Sequence, residues 1–219
     1  KTNNERDLAV SYGILGEIGL YQADYPKAER YLRQALARQQ ARGDDHSLMI
    51  TQLNLGHALY GQAQLEAAQP YQEAGLRLAR MLGNPLGEAS GLQQLAELHF
   101  ALEQPAVAFP LLLDAFRLAE ARTLQAIVVV LLRLLGEQLI KQGEPVAGVH
   151  FLGVCIAVEK QWGIVPAANE QARIMRLLTH VRTHSDPLAV AAAYQEGQDA
   201  PLAVALAAAH HRCRQQSYL

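Results

Sequence analysis

The sequence predicts an all-α protein, a superhelical solenoid in which pairs of helices stack one after another. The first observation is a leucine followed by a small residue, which returns at a constant step of 40 residues as Leu15-Gly16, Leu55-Gly56, Leu95-Ala96 and Leu135-Gly136. The second is that large apolar residues lie at helical spacing within each unit. The third is that the four units follow one another without an insertion or deletion. Such a period is typical of repeats that bury their apolar faces only against their neighbours.

Each unit is predicted to contain two helices that cross closely. Small residues mark the crossing: Gly16, Gly56, Ala96 and Gly136 on the first helix, and Ala28, Ala68, Ala108 and Gly148 on the second. Large apolar residues are expected to fill the space between helices, which in the first unit are Tyr12, Leu15, Ile18, Tyr31, Leu32 and Leu36. Proline at positions 105 and 145 suits the first turn of a second helix, and glycine at positions 43, 83 and 163 suits a helix C-terminus.

Two segments of different regularity are predicted. Residues 1–163 form four repeats of 40 residues, and residues 164–219 form a degenerate fifth hairpin with a capping C-terminal helix. Asp24 and Asp45 are candidate N-caps, because a short acidic side chain accepts backbone hydrogen bonds at a helix start. The chain begins almost directly in a repeat helix, so we expect the parent protein to continue before Lys1.

Proline and glycine residues mark the predicted helix starts and ends within residues 164–219. Val165-Pro166 is expected to open a helix, and Gly197 is expected to end the following one. Ala200-Pro201 is expected to open a last helix that reaches about His211. Beyond it, residues 212–219 are expected to fray, as chain ends commonly do.

The amino-acid composition argues against several classes of protein, namely disordered, nucleic-acid-binding and membrane-spanning ones. Half of the 219 residues are hydrophobic and 18% are charged, which suits a packed helical protein rather than a disordered chain. The net charge is −2 and no large basic patch is present, which argues against direct binding of nucleic acid. The N-terminus is polar, and the apolar run of residues 126–140 is too short to span a bilayer. Cys155 and Cys213 are interpreted as reduced thiols, so a cytoplasmic protein is expected.

Motifs for catalysis or cofactor binding are absent from the sequence. It contains no phosphate-binding glycine loop, no metalloprotease motif and no closely spaced cysteine pair. His180 and His184 lie at i, i+4 on one helix face and are interpreted as a surface pair rather than half of a metal site. His210, His211 and Cys213 are interpreted as a solvated tail. We therefore expect no enzyme activity, no catalytic residue, no metal and no cofactor.

The repeat resembles the tetratricopeptide repeat. Matching residues in the first and second units are Tyr12, Leu15, Gly16, Ala28, Leu32, Ala35, Leu55, Gly56, Leu59, Ala68 and Gly75. Those in the third and fourth are Leu92, Leu95, Ala96, Ala108, Leu112, Ala115, Leu132, Leu135, Gly136, Leu139, Gly148, Leu152 and Cys155. The departures are Gly19 and Gln72 in place of large residues, the missing closing proline and the longer unit. The resemblance implies a right-handed α-α superhelix of about five hairpins plus a C-terminal helix, with a concave groove lined by the first helices.

The same resemblance implies which side chains line the groove. The position after each leucine-small pair carries Glu17, His57, Glu97 and Glu137, which would give a mildly acidic groove. The neighbouring lining positions of this register are Gly13, Leu53, Gln93 and Arg133, and then Leu20, Tyr60, Phe100 and Ile140. Asn54 and Gln94 could hydrogen-bond the backbone of an extended peptide, while Tyr60 and Phe100 are either contacts for a ligand or core residues. The glutamates alternatively serve only to solvate the surface. Chaperone-binding members of the family use a basic clamp of which only Asn54 is present here, so binding of acidic chaperone tails is not expected.

The C-terminal third carries a second resemblance. Its segments are Phe151-Leu152-Gly153-Val154, Trp162-Gly163, Pro166, residues 192–198 and residues 201–207. They are similar to the ends of bacterial ATP-dependent regulators of the signal-transduction ATPase (STAND) class, some of which carry a LuxR-type DNA-binding domain. This implies the interaction or sensor arm of a bacterial transcriptional regulator, with an upstream nucleotide-binding domain. Such an arm would bind a protein, a peptide or a small inducer. The alternative is a structural scaffold for self-association.

Overall fold

A computed structural model describes residues 2–216, except for the side chains of residues 2, 3, 168 and 169. Eleven helices follow one another in this part of the chain, and it contains no strand. They are α1 (Thr2–Tyr21), α2 (Tyr25–Gln40), α3 (Asp45–Gly61), α4 (Leu65–Met81), α5 (Pro85–Ala101), α6 (Pro105–Ala121), α7 (Gln125–Lys141), α8 (Pro145–Trp162), α9 (Ala168–His184), α10 (Pro187–Asp199) and α11 (Leu202–Gln216). The predicted all-α, tetratricopeptide-like class is confirmed.

The first compact unit, called unit 1, is Lys1–Leu118. In it each helix packs on the next along the chain from α1 to α5, as expected of stacked hairpins. Phe109 of α6 is fully buried and meets Phe100 of α5 edge-on, with ring centroids 4.9 Å apart. The first helices of the hairpins also touch one another, α1 on α3 and α3 on α5. This first-helix face of α1, α3 and α5 carries the clefts described below.

The second compact unit, called unit 2, is Ala119–Leu219. Helix α8 is its centre and contacts α7, α10 and α11, while α9 packs on α10. Its apolar core consists of Val149, Leu152, Ile174, Leu178, Val181 and Val190. The segment predicted to be a degenerate hairpin therefore folds onto α8 and buries its apolar side chains there.

Left-handed turn residues divide the chain at a regular step. Positive φ occurs at Ala23, Gly43, Ala63, Gly83, Glu103, Thr123, Gly143 and Gly163. The glycines at 43, 83 and 163 confirm the predicted turns between hairpins. The other turns follow the same geometry although alanine, glutamate or threonine stands at four of them. The turn within each hairpin and the turn between hairpins therefore share the same backbone conformation. The turns recur every 20 residues, which is half the period of the sequence repeat.

Glycine at the strained turn positions is expected to stabilise the protein. Ala63 and Glu103 are exposed at a φ of 58° each, a conformation that costs an L-residue about 1–2 kcal/mol. Ala63→Gly and Glu103→Gly should each raise the free energy of unfolding by about 0.5–1 kcal/mol in urea titrations, after the entropy of glycine in the unfolded chain is subtracted. The matched control is Gly83→Ala, which has open space for a methyl group at a φ of 60° and should destabilise by strain alone. Lower stability of both glycine variants would contradict the turn geometry.

Several element boundaries differ from those predicted. Asp24 caps α2 as expected, with its Oδ1 accepting from the Lys27 nitrogen at 3.2 Å. The cap of α3 is Asp44 rather than Asp45, since the Asp44 Oδ1 accepts from the Ser47 nitrogen at 3.2 Å. In the last segment, α9 begins only at Ala168. Helix α11 continues to Gln216, whose side chain donates to Glu144 at 2.9 Å, so the described part of the predicted frayed end is helical.

The prediction that Gly197 ends a helix was wrong. Gly197 is a buried residue inside α10. A Cβ at this position would overlap the carbonyl oxygen of His150 on α8, and a Cβ at Gly153 would overlap that of Tyr194. The glycines are therefore required where α8 and α10 cross backbone to backbone.

The small residues predicted at the hairpin crossings lie where the two helices approach closely, as expected. A Cβ at Gly16 would lie 2.5 Å from the Leu32 side chain, and one at Gly136 would lie 2.8 Å from the Gly148 carbonyl oxygen. Gly19, a departure from the family pattern, has a similar reason. A Cβ there would lie 2.9 Å from the Ala28 nitrogen, so this hairpin packs too closely for a large residue.

Two residues predicted to fill the first hairpin are instead exposed. Leu15 is 36% and Ile18 is 42% exposed, whereas their repeat equivalents Leu55 and Ala58 are fully buried. Leu55 and Ala58 are covered by neighbouring helices, whereas Leu15 and Ile18 lie on a side of α1 that the described helices leave exposed. Helix α1 therefore presents an uncovered apolar edge.

Candidate functional site

A cleft on unit 1 opens between α3 and α5, and it is called the larger cleft here because its neighbour is smaller. It has a volume of about 360 Å³. Its apolar walls are Met49, Ile50, Leu53, Leu86 and Gly87, and its polar lining is His46, Asn54, Asn84, Ser90 and Gln94. On its wall Gly87 packs closely on Met49, where a Cβ would come within 2.7 Å of the sulfur. An apolar cleft with a few polar groups is the usual form of a ligand site.

The smaller cleft opens one helix along, between α1 and α3. It has a volume of about 140 Å³. It is lined by Ala9, Val10, Gly13, Ile14, Glu17, Gln39, Ser47, Ile50 and Thr51. Gly13 has nothing within 4 Å of the position of a Cβ, so the absent side chain leaves this cleft open. Ile50 lines both clefts, which are therefore neighbours on the first-helix face.

Each cleft contains a glutamine side chain whose oxygen has no hydrogen-bond donor among the described residues. Gln94 in the larger cleft is 9% exposed and Gln39 in the smaller cleft is 4% exposed. The Oε1 atoms of both residues are buried and without a partner. Leaving a buried acceptor unsatisfied costs about 1–3 kcal/mol. The oxygens of Gln52 and Gln72 are buried without a donor in the same way, so this feature is not confined to the clefts.

Glu17 gives the clefts their charge. It is exposed at the rim of the smaller cleft, and its Oε1 accepts from the Asn54 amide at 3.3 Å. The hydrogen bond joins two predicted groove residues that lie in different repeats. Apart from Glu17, the one other titratable residue among those lining the clefts is His46. The lining of the two clefts thus carries one carboxylate and no lysine or arginine.

The other predicted groove residues of unit 1 lie outside these clefts. His57 packs on the Tyr25 ring with centroids 6.2 Å apart, and burial lowers the pKa of its imidazole, which favours the neutral form. Phe100 is half-buried against Phe109. Tyr60 and Glu97 are also half-buried. In this unit the structure thus places Glu17, Asn54 and Gln94 at the clefts.

The two predicted groove residues of unit 2 lie in a buried ionic cluster. Arg133 is 6% and Glu137 is 5% exposed. Arg133 pairs with Glu159 on α8 at 2.7 Å and with Glu170 on α9. Glu137 pairs with Arg173 on α9 at 2.8 Å. The cluster joins α7, α8 and α9, so Arg133 and Glu137 already have partners within the chain.

Burial raises the pKa values of three side chains of unit 2, those of Glu137, Cys155 and Cys213. It raises the pKa of the Glu137 carboxyl above its ordinary value, against the opposing attraction of Arg173, Lys141 and Arg133. Burial also raises the pKa of Cys155 to about 12, and the nearby Glu159 carboxylate adds to this effect. Cys213 has a pKa of about 12 because it is buried. Both cysteines are buried, and their raised pKa values hold the thiols in the neutral, unreactive form.

The histidine pair on α9 shows no metal-site geometry. The rings of His180 and His184 stack with centroids 4.2 Å apart, and the His184 Nδ1 lies 2.8 Å from the His180 carbonyl oxygen. Within the part of the chain that the structure describes, no group of three potential ligands that could hold a metal ion occurs. At the tail, His210 pairs with Glu120 at 2.8 Å and Cys213 is buried, so two of the three tail residues are packed rather than solvated.

Residues 7–81 match the family model of the tetratricopeptide repeat. Tetratricopeptide repeats generally mediate protein–protein interaction, and their fold is generally a non-enzymatic scaffold. The match covers most of α1 together with α2, α3 and α4, and so includes all residues of the smaller cleft. A search of curated proteins found no match. None of the helices described here combines the length and the apolar character needed to cross a membrane.

Sequence reasoning missed Gln39 and Ile50, the two residues that complete the clefts. A signal for Gln39 was present, because the same repeat position carries Ala79 and Ala119, both fully buried. The fourth repeat carries the buried Glu159 there, so polar side chains stand at this buried position in two of the four repeats. Ile50 had no such signal, since an isoleucine in an apolar stripe is ordinary.

Proposed function

We propose that this chain is a protein-interaction module that binds a segment of a partner protein on the first-helix face of unit 1. The observation that carries the proposal is the pair of adjoining clefts that share Ile50 and combine apolar walls with amide and hydroxyl groups. A peptide chain supplies both apolar side chains and N–H or O–H donors at regular intervals. The tetratricopeptide match over residues 7–81 supports a partner of this class.

Filling either cleft is expected to weaken the binding of peptides selected from a random display library against the whole chain. Gly13→Trp adds a ring at the smaller cleft, where a Cβ has no atom within 4 Å, and Ser90→Phe adds one to the lining of the larger cleft. Each should weaken affinity by roughly tenfold or more, the loss typical of blocking an interface anchor. Fluorescence anisotropy with the labelled peptides measures the change.

Matched alanine variants distinguish a blocked cleft from a disrupted fold. Gly13→Ala and Ser90→Ala leave the clefts open and should bind the same peptides with unchanged affinity. Thermal melts of all four variants test whether the fold is kept. Gly13 lies in a helix interior, where alanine and tryptophan are both more favourable than glycine. Unchanged affinity of both Gly13→Trp and Ser90→Phe would place the interaction elsewhere and contradict the proposal.

We also infer a cytoplasmic regulatory setting for the module, as the arm of a bacterial transcriptional regulator that senses a protein, a peptide or a small inducer. The support is the C-terminal resemblance, whose segments around Gly153 and Gly197 meet at the α8–α10 crossing. The sequence encoded before Lys1 in the parent gene tests this setting. A nucleotide-binding domain is expected there, and a parent protein that contains none contradicts it.

Self-association is a second candidate, favoured by the uncovered edge of α1. Leu15, Ile18 and Tyr21 are 36%, 42% and 77% exposed. If this edge joins two copies, light scattering should show a mass that rises with concentration, and Ile18→Glu should return the chain to a monomer. Glu66→Lys, an exposed change on α4, should leave the association unaltered. A concentration-independent monomeric mass would exclude this role for the chain.

A further inference from the structure

We propose that a cleft of unit 2 binds a medium-chain aliphatic carboxylate, at a small-molecule site that does not depend on the peptide-binding face proposed for unit 1. The cleft lies between α8 and α9, beside the segment that connects them, and has a volume of about 390 Å³. Its apolar lining is Ile156, Ile164, Val165, Pro166, Ile174 and Met175, and its polar lining is Glu159, Lys160 and Gln171. This volume and a mostly apolar lining with few polar groups are typical of small-molecule sites.

The connection between α8 and α9 forms one wall of the cleft and is held by both helices. Gly163 ends α8 at a φ of 67°, and the Ile164 nitrogen then donates to the Glu159 carbonyl oxygen at 2.9 Å. From α9, the Gln171 side-chain amide donates to the Pro166 carbonyl oxygen at 3.2 Å. Because these hydrogen bonds fix the connection, a ligand meets a wall that is already formed, and little loss of flexibility opposes binding.

Apolar side chains at this cleft are exposed to water. Val165 on the connection is 83% exposed and Met175 on α9 is 58% exposed. The half-buried Ile156 and Ile164 extend the same apolar lining. Methionine adapts its shape to an unbranched alkyl chain. Each methylene group of such a chain should strengthen binding by up to about fourfold when it is fully buried.

The charges of the lining favour an anionic head group. Glu159 is 6% exposed, and its Oε1 accepts from Arg133 at 2.7 Å, so its charge is already compensated. Lys160 is exposed and has no ion-pair or hydrogen-bond partner among the described residues. A carboxylate therefore finds an unpaired ammonium group, whereas a cationic ligand would have to compete with Arg133 for Glu159. An alkyl chain that ends in one carboxylate combines both features.

Isothermal titration calorimetry of the whole chain with hexanoate, octanoate and decanoate, each below its micelle-forming concentration, tests the proposal. Affinity should rise roughly two- to fourfold for each added methylene group. Octanoate should bind roughly two- to fivefold more tightly than octanol, the contribution expected of an exposed ion pair. Octylammonium should bind more weakly than octanol. The fluorescence of Trp162, which lies two residues from both Lys160 and Ile164 in the chain, should change with the same affinities.

Variants of the head-group partner and of the apolar wall locate the site. Lys160→Gln should abolish the preference for octanoate over octanol, and Lys160→Glu should shift the preference to octylammonium. Lys27→Gln, the same change in unit 1, is the control for the charge. Met175→Glu places a carboxylate on the apolar wall and should weaken octanoate binding by roughly fivefold or more. Leu188→Glu is its matched control, because Leu188 is 82% exposed on α10 and does not line the cleft.

The outcomes decide for or against a carboxylate site at this cleft. Affinity that rises with chain length, together with a carboxylate preference that is lost in Lys160→Gln and kept in Lys27→Gln, supports the inference. Absent binding, or equal preferences in the unaltered chain and Lys160→Gln, overturns it. Equal effects of Met175→Glu and Leu188→Glu also overturn it, since the alkyl chain would then bind elsewhere. None of these results bears on the peptide proposal, because every residue of this cleft belongs to unit 2.

Discussion

Gly197→Ala is expected to lower the free energy of unfolding of unit 2 by about 3 kcal/mol or more. The added methyl group would overlap the His150 carbonyl oxygen and lie within 3.1 Å of the Val154 nitrogen. Both are backbone atoms of α8, so no side chain can rotate away and the helices must separate. Overpacking costs about 1–3 kcal/mol where side chains can adapt, and a backbone contact is at the upper end or beyond it.

Urea unfolding followed by the fluorescence of Trp162 measures this effect, because the one tryptophan of the chain lies in unit 2 at the end of α8. The matched control is Gly13→Ala, the same substitution in α1 with open space around it. It should raise stability by roughly 0.5–1 kcal/mol through helix propensity, as read by far-ultraviolet circular dichroism. A loss below about 1 kcal/mol for Gly197→Ala would contradict the close crossing of α8 and α10.

Arg133→Met is expected to cost about 3–5 kcal/mol, the loss found when one partner of a buried ion pair is removed. Arg133 contacts Glu159 and Glu170, and Glu159 is only 6% exposed. Without the guanidinium, the Glu159 carboxylate would remain buried beside Cys155, whose Sγ lies 3.5 Å from its Oε1. The same fluorescence-detected urea titration measures the change.

The double variant Arg133→Met with Glu159→Leu should recover most of that loss. Replacing both charges with apolar groups of similar size is often neutral, because their desolvation penalties disappear together. Arg117→Met is the surface control, since Arg117 and its partner Asp114 are both more than half exposed. It should change stability by less than about 1 kcal/mol. A double variant as unstable as Arg133→Met alone would show that the cluster acts by packing rather than by charge.

The sequence period was sufficient to predict the helix pairs and most of their crossings. The small residues at 16, 56, 96 and 136 and their partners had to lie at close contacts, because each pair recurs together. The turns at 43, 83 and 163 were visible because glycine stands there. The period also located the turns within the hairpins, but the positive φ of Ala63 and Glu103 was not visible, since neither residue type indicates it. In those turns the fold imposes a geometry that the local sequence does not favour.

The candidate site was predictable only where it follows the repeat register. Asn54 and Gln94 were found because they occupy equivalent positions on two first helices. The clefts themselves also depend on Gln39 from a second helix and on the missing side chain at Gly13. Arg133 and Glu137 fit the same groove register, but Glu170 and Arg173 reach them from α9. That contact arises where the repeat has already drifted, and no periodic pattern could indicate it.

Nuclear magnetic resonance of the whole chain with a display-selected peptide tests the central claim most directly. Isotope labelling of isoleucine methyl groups reports on Ile50, which lines both clefts, and on Ile14, which lines the smaller one. Ile174 in the core of unit 2 is the internal control. The account predicts that the peptide shifts the Ile50 and Ile14 resonances and leaves that of Ile174 unchanged. A peptide that binds while Ile50 and Ile14 remain unshifted would contradict it.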